Sequence, residues 1–335
     1  MCLTKKGFYQ LKVILHTTIL IPCILILLCH KQGFTQQNPQ FSQYLLNPYV
    51  INPGITGVEE YLEITASFRN QWTGFDGAPT TATFSFNTPL YLLKGELQKS
   101  EGESHQGIGA FIYTDETGPV KQGGFFASYA YHLKVSKDWF LSLGTFAGAT
   151  QFKYDDSEAI LLQNPADPLV QSLSILNFDM SIGAYLYSDY LFFGLAANRL
   201  FNSEIPFDVQ NGILTSDGRL ERNFNLLIGS RISLSDQWEF VPSTLLMAVE
   251  GAPLQLQLGA KLIYDNIFWG GIGYRGQDAL IGIAGLRISD SFLVSYSYDY
   301  SLSAFSGEQT GTHEIILSYR FDFGNQKCAC PNYSL

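Results

Sequence analysis

Between His30 and Lys327 the chain has no cysteine; three of its five cysteines precede that span and two follow it. No disulfide framework can organise the body of such a fold. Charge is sparse as well, at 15% of residues against roughly 25% in soluble domains. What charge there is leans acidic, 30 Asp and Glu against 20 Lys and Arg, which argues against nonspecific nucleic-acid binding. Histidines number five, too few for a metal-rich centre. Neither a Gly-x-Ser-x-Gly elbow nor a phosphate-binding glycine loop occurs, so no nucleophile with its base and no cofactor site can be named, and the chain reads as non-enzymatic. Beyond residue 30 no apolar run approaches the roughly 18 residues of a spanning helix.

The one long apolar run, Val13 to Cys29, sits behind Lys5, Lys6 and Lys12. That arrangement reads as a secretory signal peptide over residues 1–35, with cleavage expected near Thr35. Its removal leaves 16 basic against 30 acidic residues, a formal charge of −14.

Aromatics, by contrast, are abundant, with 25 Phe and 19 Tyr. A membrane protein without spanning helices has one option, a closed β-barrel, because lipid offers backbone groups no partner. Such a barrel requires segments of about ten residues with alternating polarity. YLEITASFR, LQLQLGAKLIY, FLVSYSYDY and HEIILSYRFDF fit strongly. In the first, Leu62, Ile64, Ala66 and Phe68 oppose Glu63, Thr65, Ser67 and Arg69. In the second, Leu256 is expected to face lipid and Gln257 the lumen, so lysine should be costly at the former and tolerated at the latter. Weaker matches fall at 80–88, 106–115, 121–133, 138–150, 175–188, 190–199, 222–234, 238–249, 265–275 and 278–288. The sum is an all-β, transmembrane antiparallel β-barrel of about 14 strands over 61–323, an even count as such barrels require. Short turns such as Ser188-Asp189, Ser235-Asp236, Asp265-Asn266 and Ser289-Asp290 alternate with long connections near 153–174, 200–221 and 301–311. Short periplasmic turns and long outer loops are the expected asymmetry. The connection Lys94 to Gln106 departs from it as a long periplasmic loop. A secreted β-sandwich would also alternate, but low charge and the loop asymmetry favour the barrel.

Residues 36–60 do not alternate. Here FSQYLLNPYVINPGITG places Asn47-Pro48 and Asn52-Pro53 five residues apart. Proline removes a donor and disfavours helix in the preceding residue, so an extended irregular strip is expected, whose aromatics need cover. Tyr44, Asn47, Pro48, Tyr49, Asn52, Pro53 and Gly57 are candidate partner-binding residues, expected at the periplasmic mouth as a lumen plug or as a dry surface for a partner. Arg69, Gln71 and Trp72 form a second candidate group, a lock on the first hairpin or a cargo contact.

Other motifs carry little. GIGYRG (271–276) fits a dinucleotide fingerprint but lies inside a strand-like stretch. HEIIL (313–317) begins like a zinc-protease motif, yet Leu317 stands where the second histidine belongs. Cys328-Ala329-Cys330, in a tail spanning 324–335, is a weak metal or disulfide signal.

NPQFSQYLLNPYVINPGITG followed by FRNQWTGFDGAPTT resembles the opening of the PorP/SprF family, and VPSTLL, FWGGIGYRGQDAL, YSYDYSLS and THEIILSYRF resemble its later blocks in order. Gly54-Ile55 departs from the usual Ala and aromatic. The resemblance implies a component of the type IX secretion system of gliding and related bacteria, located in the outer membrane. It implies assistance to secretion or surface attachment of cargo with a C-terminal sorting signal, adhesin-type cargo in particular. It also implies periplasmic secretion-system proteins as partners, beside outer-membrane lipid. The alternative is a general porin or small-molecule transporter, which needs an open lumen with charged constriction residues. The inward faces, rich in Gly, Ser and Ala with few charges, suit a filled interior instead.

Overall fold

The computed structural model describes residues 40–93, 103–155, 173–205, 208–210, 213–215, 218–276, 278–302 and 310–321. The expected signal peptide and the Cys-Ala-Cys tail lie outside the described residues, as does most of Lys94 to Gln106.

Fourteen antiparallel strands close into a barrel. In chain order they are β1 (Leu62–Asn70), β2 (Thr80–Pro89), β3 (His105–Thr117), β4 (Val120–Lys134), β5 (Phe140–Tyr154), β6 (Leu173–Tyr187) and β7 (Leu191–Asn198), then β8 (Asn223–Ser230), β9 (Trp238–Val249), β10 (Gln255–Tyr264), β11 (Phe268–Arg275), β12 (Ala279–Arg287), β13 (Phe292–Ser301) and β14 (Thr312–Phe321). Every strand pairs with its sequence neighbours, and β1 closes the ring on β14, with Leu62 opposite Phe321 and Asn70 opposite His313. A short extra strand, Ile232–Ser233, continues beside β9. Two small hairpin pairings decorate the β7–β8 connection. Among the described residues no helix is long and apolar enough to cross a membrane.

β5 runs on to Tyr154, past the expected 150, and two other strand ends differ for local reasons. β11 starts at Phe268 because Asp265 (φ 50°) and Asn266 (φ 55°) form a two-residue left-handed turn, closed by Ile267 N–H donating to Tyr264 O at 2.9 Å. β8 stops at Ser230 because the Arg231 amide donates instead to Tyr190 O on the adjacent connection.

Because strands alternate direction, connections fall at two ends. One end holds 135–139, 188–190, 231–237, 265–267 and 288–291, together with the β2–β3 connection. The other holds 71–79, short connections after β3, β9 and β11, and the long connections after β5, β7 and β13. By the usual asymmetry the turn end is periplasmic.

The outer face is apolar and aromatic. On β14, Ile315, Leu317, Tyr319 and Phe321 are exposed while Glu314, Ile316 and Ser318 are buried. On β13, Tyr296 and Tyr300 are exposed while Ser295, Ser297 and Asp299 are buried. β10 keeps the expected facing, with Leu262 and Tyr264 out and Gln257 and Lys261 in. Two expectations there fail. Leu256 is on the outward side but only 5% exposed, covered along with its cross-strand partner Leu246. Gln257 is not a tolerant lumen position, because it is buried against Arg275, and a lysine there would set two cations together.

Leu317, near the middle of β14 and 42% exposed, is the better probe of the lipid face. Leu317→Lys is expected to cost about 2–4 kcal/mol in denaturant unfolding from lipid vesicles, as for lysine near the bilayer midplane. A cost under about 1 kcal/mol would place that face away from lipid.

Candidate functional site

The lumen is filled by the chain's own N-terminal strip. Ser42 bonds to side chains near the loop ends of β1, β11, β13 and β14, whereas the Thr56 carbonyl accepts from His132, close to the turn end of β4. The strip therefore descends the inside of the barrel from the loop end and leaves at the turn end to enter β1. It is not an extended segment at the periplasmic mouth. Tyr44 and Tyr49 are 3% and 2% exposed, with hydroxyls sharing 2.8 Å hydrogen bonds with Ser243 and Ser128. Their rings cannot meet an outside partner while the strip is seated.

A paired ionic cluster holds the upper part of the strip. Arg69 donates to Asp299 Oδ2 at 3.0 Å and Glu314 Oε2 at 3.1 Å, and Arg275 donates to Asp299 Oδ2 at 3.1 Å. All four side chains are at most 3% exposed. Ser42 sits at their centre. Its amide donates to Glu314 Oε2 at 2.8 Å and its hydroxyl to Asp299 Oδ2 at 2.6 Å. The hydroxyl oxygen accepts from Arg69 and from Arg275, the latter at 3.0 Å. Its carbonyl accepts from Gln257 Nε2 at 3.1 Å. Gln43 adds two bonds to Glu314, from its amide at 3.2 Å and its side chain at 3.2 Å. Two cations and two carboxylates pair here, with Asp278 a further acid 3.5 Å from Arg275, and a charge-assisted bond is about twice as strong as a neutral one.

The Asn-Pro steps shape the lower part. They exclude α-helix but start two short 3₁₀ turns, Pro48–Ile51 and Pro53–Ile55, because proline at the first helical position loses no intrahelical bond. The two asparagines differ in role. Asn52 Oδ1 accepts from Gly54 N–H at 2.8 Å and its Nδ2 donates to Ala184 O, fixing the turn to the wall. Asn47 makes no such local bond, and its Nδ2 reaches Ser85 Oγ at 3.3 Å. The second turn rests on Gly144 and Gly183, opposite each other on β5 and β6. A Cβ on either would fall 2.2 Å from Pro53 O or 2.1 Å from Asn52 Oδ1. At the exit, Gly57 takes a positive φ of 73°, and the stacked rings of His105 and His132, 4.3 Å apart, donate to the Gly57 and Thr56 carbonyls. Beyond it, burial pushes the Glu59 carboxyl up to about 7, with Arg320 opposing. The folded protein then holds that proton more tightly than the unfolded chain, so this contribution to stability is full below about pH 4.5 and is lost as pH rises through 7.

Arg69, Gln71 and Trp72 do not form one group. Strand alternation turns Arg69 into the lumen, where it pairs with acids rather than stacking on Trp72. Gln71 N–H donates to Pro79 O and Trp72 N–H to Thr312 Oγ1, so these two tie the first loop to its own base and to β14. The inward faces also carry more charge than expected: besides the Ser42 cluster, Arg320 pairs with Glu63 at 3.4 Å and Arg231 with Glu239 at 2.7 Å. Among the described residues no group of three His, Cys, Asp or Glu gathers as a metal site would require.

Sequence reasoning missed Ser42, Gln43, Arg275, Asp299 and Glu314 as one site. The signal was available in the alternation: each is a polar or charged group on an inward face, or next to it, and such groups need partners. Five aspartates, Asp138, Asp189, Asp236, Asp265 and Asp290, lie one in each of the five short turn-end connections and are all exposed, and sequence reasoning read four of them as turn residues only. Asp suits turns for its own hydrogen-bonding reasons. Gathered at one end, with Lys137 and Arg231 as the cations in the same short connections, the five leave that rim net acidic.

Fourteen strands, an aromatic outer face, a polar inner face and short turns at one end define an outer-membrane β-barrel. Residues 33–319 match the family described as "Type IX secretion system membrane protein PorP/SprF", and the chain belongs to that family. It is an outer-membrane component of the type IX secretion system. Among solved structures it resembles a FadL homologue of Pseudomonas aeruginosa, at 11% identity and TM-score 0.50, over 86% of this chain and 95% of that one. The toluene transporter TbuX of Ralstonia pickettii follows at 10% identity and TM-score 0.49, over 83% and 94%. At such identities the likeness concerns the fold alone. No curated protein sequence matches the chain.

Removing one member of the buried cluster strands the others. Arg69→Met is expected to destabilise the barrel by about 3–5 kcal/mol, and Arg69→Met with Glu314→Gln by clearly less than the sum of the two single changes. Chemical unfolding in detergent of the four proteins of this cycle measures it. Strict additivity would show that the two groups do not act together.

Proposed function

We propose that this barrel works as a closed element of the secretion system, docking periplasmic secretion-system proteins on its turn-end rim and assisting secretion or surface attachment of cargo with a C-terminal sorting signal, adhesin-type cargo included. The observation that carries this reading is the occupied lumen. Residues 40–58 cross it from the loop end to the turn end and are bonded to strands all around the wall. A diffusion porin needs an open polar path with weak, multiple sites. Here the path is taken up by the chain itself, so the useful surfaces are the two ends. The acidic rim supports docking, because charges at the edge of an interface steer encounter while adding little affinity. It suits a partner with a basic face. The strip enters this reading as the plug that keeps the barrel shut, with Tyr44, Asn47, Pro48, Tyr49, Asn52, Pro53 and Gly57 as its seated part.

Two measurements test the proposal. Purified protein in planar bilayers is expected to lack steady openings; steady nanosiemens-scale conductance would favour the porin. In crosslinked cells, Asp138→Lys with Asp236→Lys and Asp290→Lys is expected to leave the barrel assembled while losing periplasmic partners and surface cargo. An unchanged partner set with normal cargo would remove the rim from the proposal.

A further inference from the structure

Near the loop end, strip and wall part to leave a cavity of about 140 Å³. Most of its lining is apolar, including Val50 from the strip and Phe111, Phe126 and Met247 from the wall. One cation also lines it, Arg199. By strand alternation Arg199 would point away from the lumen, since Asn198 beside it points in and bonds the Ile51 carbonyl. A left-handed backbone at Arg199, φ 58°, ends β7 and turns the side chain inward. The residue is 8% exposed, and its Nη1 is buried with no hydrogen-bond partner. Two carboxylates lie within electrostatic reach, Asp115 and Asp179, but neither is hydrogen-bonded to Arg199, and Asp179 Oδ2 is itself buried without a hydrogen-bond partner. Asp115 accepts from the Thr81 hydroxyl, and Asp179 Oδ1 accepts from the Met180 and Phe201 amides.

A buried guanidinium short of partners beside dry aromatic surface is costly unless something supplies an acceptor. We propose that this cavity binds a small organic anion with an apolar body, its carboxylate on Arg199 and its ring or short chain between Phe111, Phe126 and Met247. Size supports the class, because an apolar cavity of about 150 Å³ accommodates benzene. The guanidinium fork matches a carboxylate in two-point geometry and discriminates it from an alcohol of equal bulk. The site lies beside the seated strip, so an occupant would touch plug and wall together.

The test uses the intact chain folded in uncharged detergent, with benzoate as probe and benzyl alcohol as its neutral counterpart, followed by calorimetry. Benzoate is expected to bind saturably and at least tenfold more tightly than benzyl alcohol. Arg199→Gln should erase that preference, and Met247→Trp, which fills the cavity, should weaken benzoate at least tenfold while the barrel keeps its heat-modifiable migration. Absence of saturable benzoate binding to the unaltered protein would overturn the proposal. So would a tenfold preference surviving in Arg199→Gln, or benzoate affinity unchanged in a folded Met247→Trp barrel.

Discussion

Two arginines and two carboxylates face one another inside the barrel, and their mutual pairing is completed by the amide, hydroxyl and carbonyl neighbourhood of Ser42. Burying an ion costs several kcal/mol even after relaxation, and only good geometry with further hydrogen bonds repays it. Arg69, Arg275, Asp299 and Glu314 come from four different strands, so the cluster also ties β1, β11, β13 and β14 to one another. The strip is thus part of the barrel's own charge balance. Were Ser42 withdrawn, Glu314 would lose one of its two amide donors, Asp299 a hydroxyl donor and both arginines an acceptor, and water would have to replace them.

The lower half of the strip is held by shape. Gly144 and Gly183 remove side chains where Pro53 and Asn52 press on the wall, and the rings of Phe111 and Phe146 meet Tyr49 edge-on, with Phe126 stacked on Phe111. Upper and lower anchors work by different physics. The ionic cluster is directional and intolerant of losing a member; the glycine seat is steric and intolerant of gaining a methyl. Together they make the seated strip a property of the folded chain rather than of a separate plug domain.

Much of the wall was legible because lipid imposes a simple rule. Leu62, Ile64 and Phe68 alternate with Thr65, Ser67 and Arg69 since one face meets acyl chains and the other a polar interior, and the same rule located every barrel strand. Ends were harder, as at Arg231 and at Asp265-Asn266, where one hydrogen bond or one turn type decides. The site was less legible. Arg69 and Glu314 lie 245 positions apart, and only ring closure, which sets β1 beside β14, makes them neighbours. Tyr44 and Tyr49 could be read as a lumen plug or as a docking surface, because aromatic side chains look the same in both; their burial depends on what surrounds them. Proline signalled irregularity but not the direction of the strip, which depends on where Ser42 finds its partners.

The central claim is that residues 40–58 are seated in the lumen as firmly as the strands around them. Amide hydrogen exchange read by mass spectrometry on the intact barrel tests this directly. Ser42, Gln43, Leu46, Asn52, Gly54, Ile55, Thr56, Gly57 and Val58 all donate their amides to partners inside the lumen. Peptides spanning the strip are therefore predicted to exchange as slowly as those of β4 and β5. Exchange of those peptides as fast as that of the exposed loop around Gly74 would show that the strip is not a seated plug.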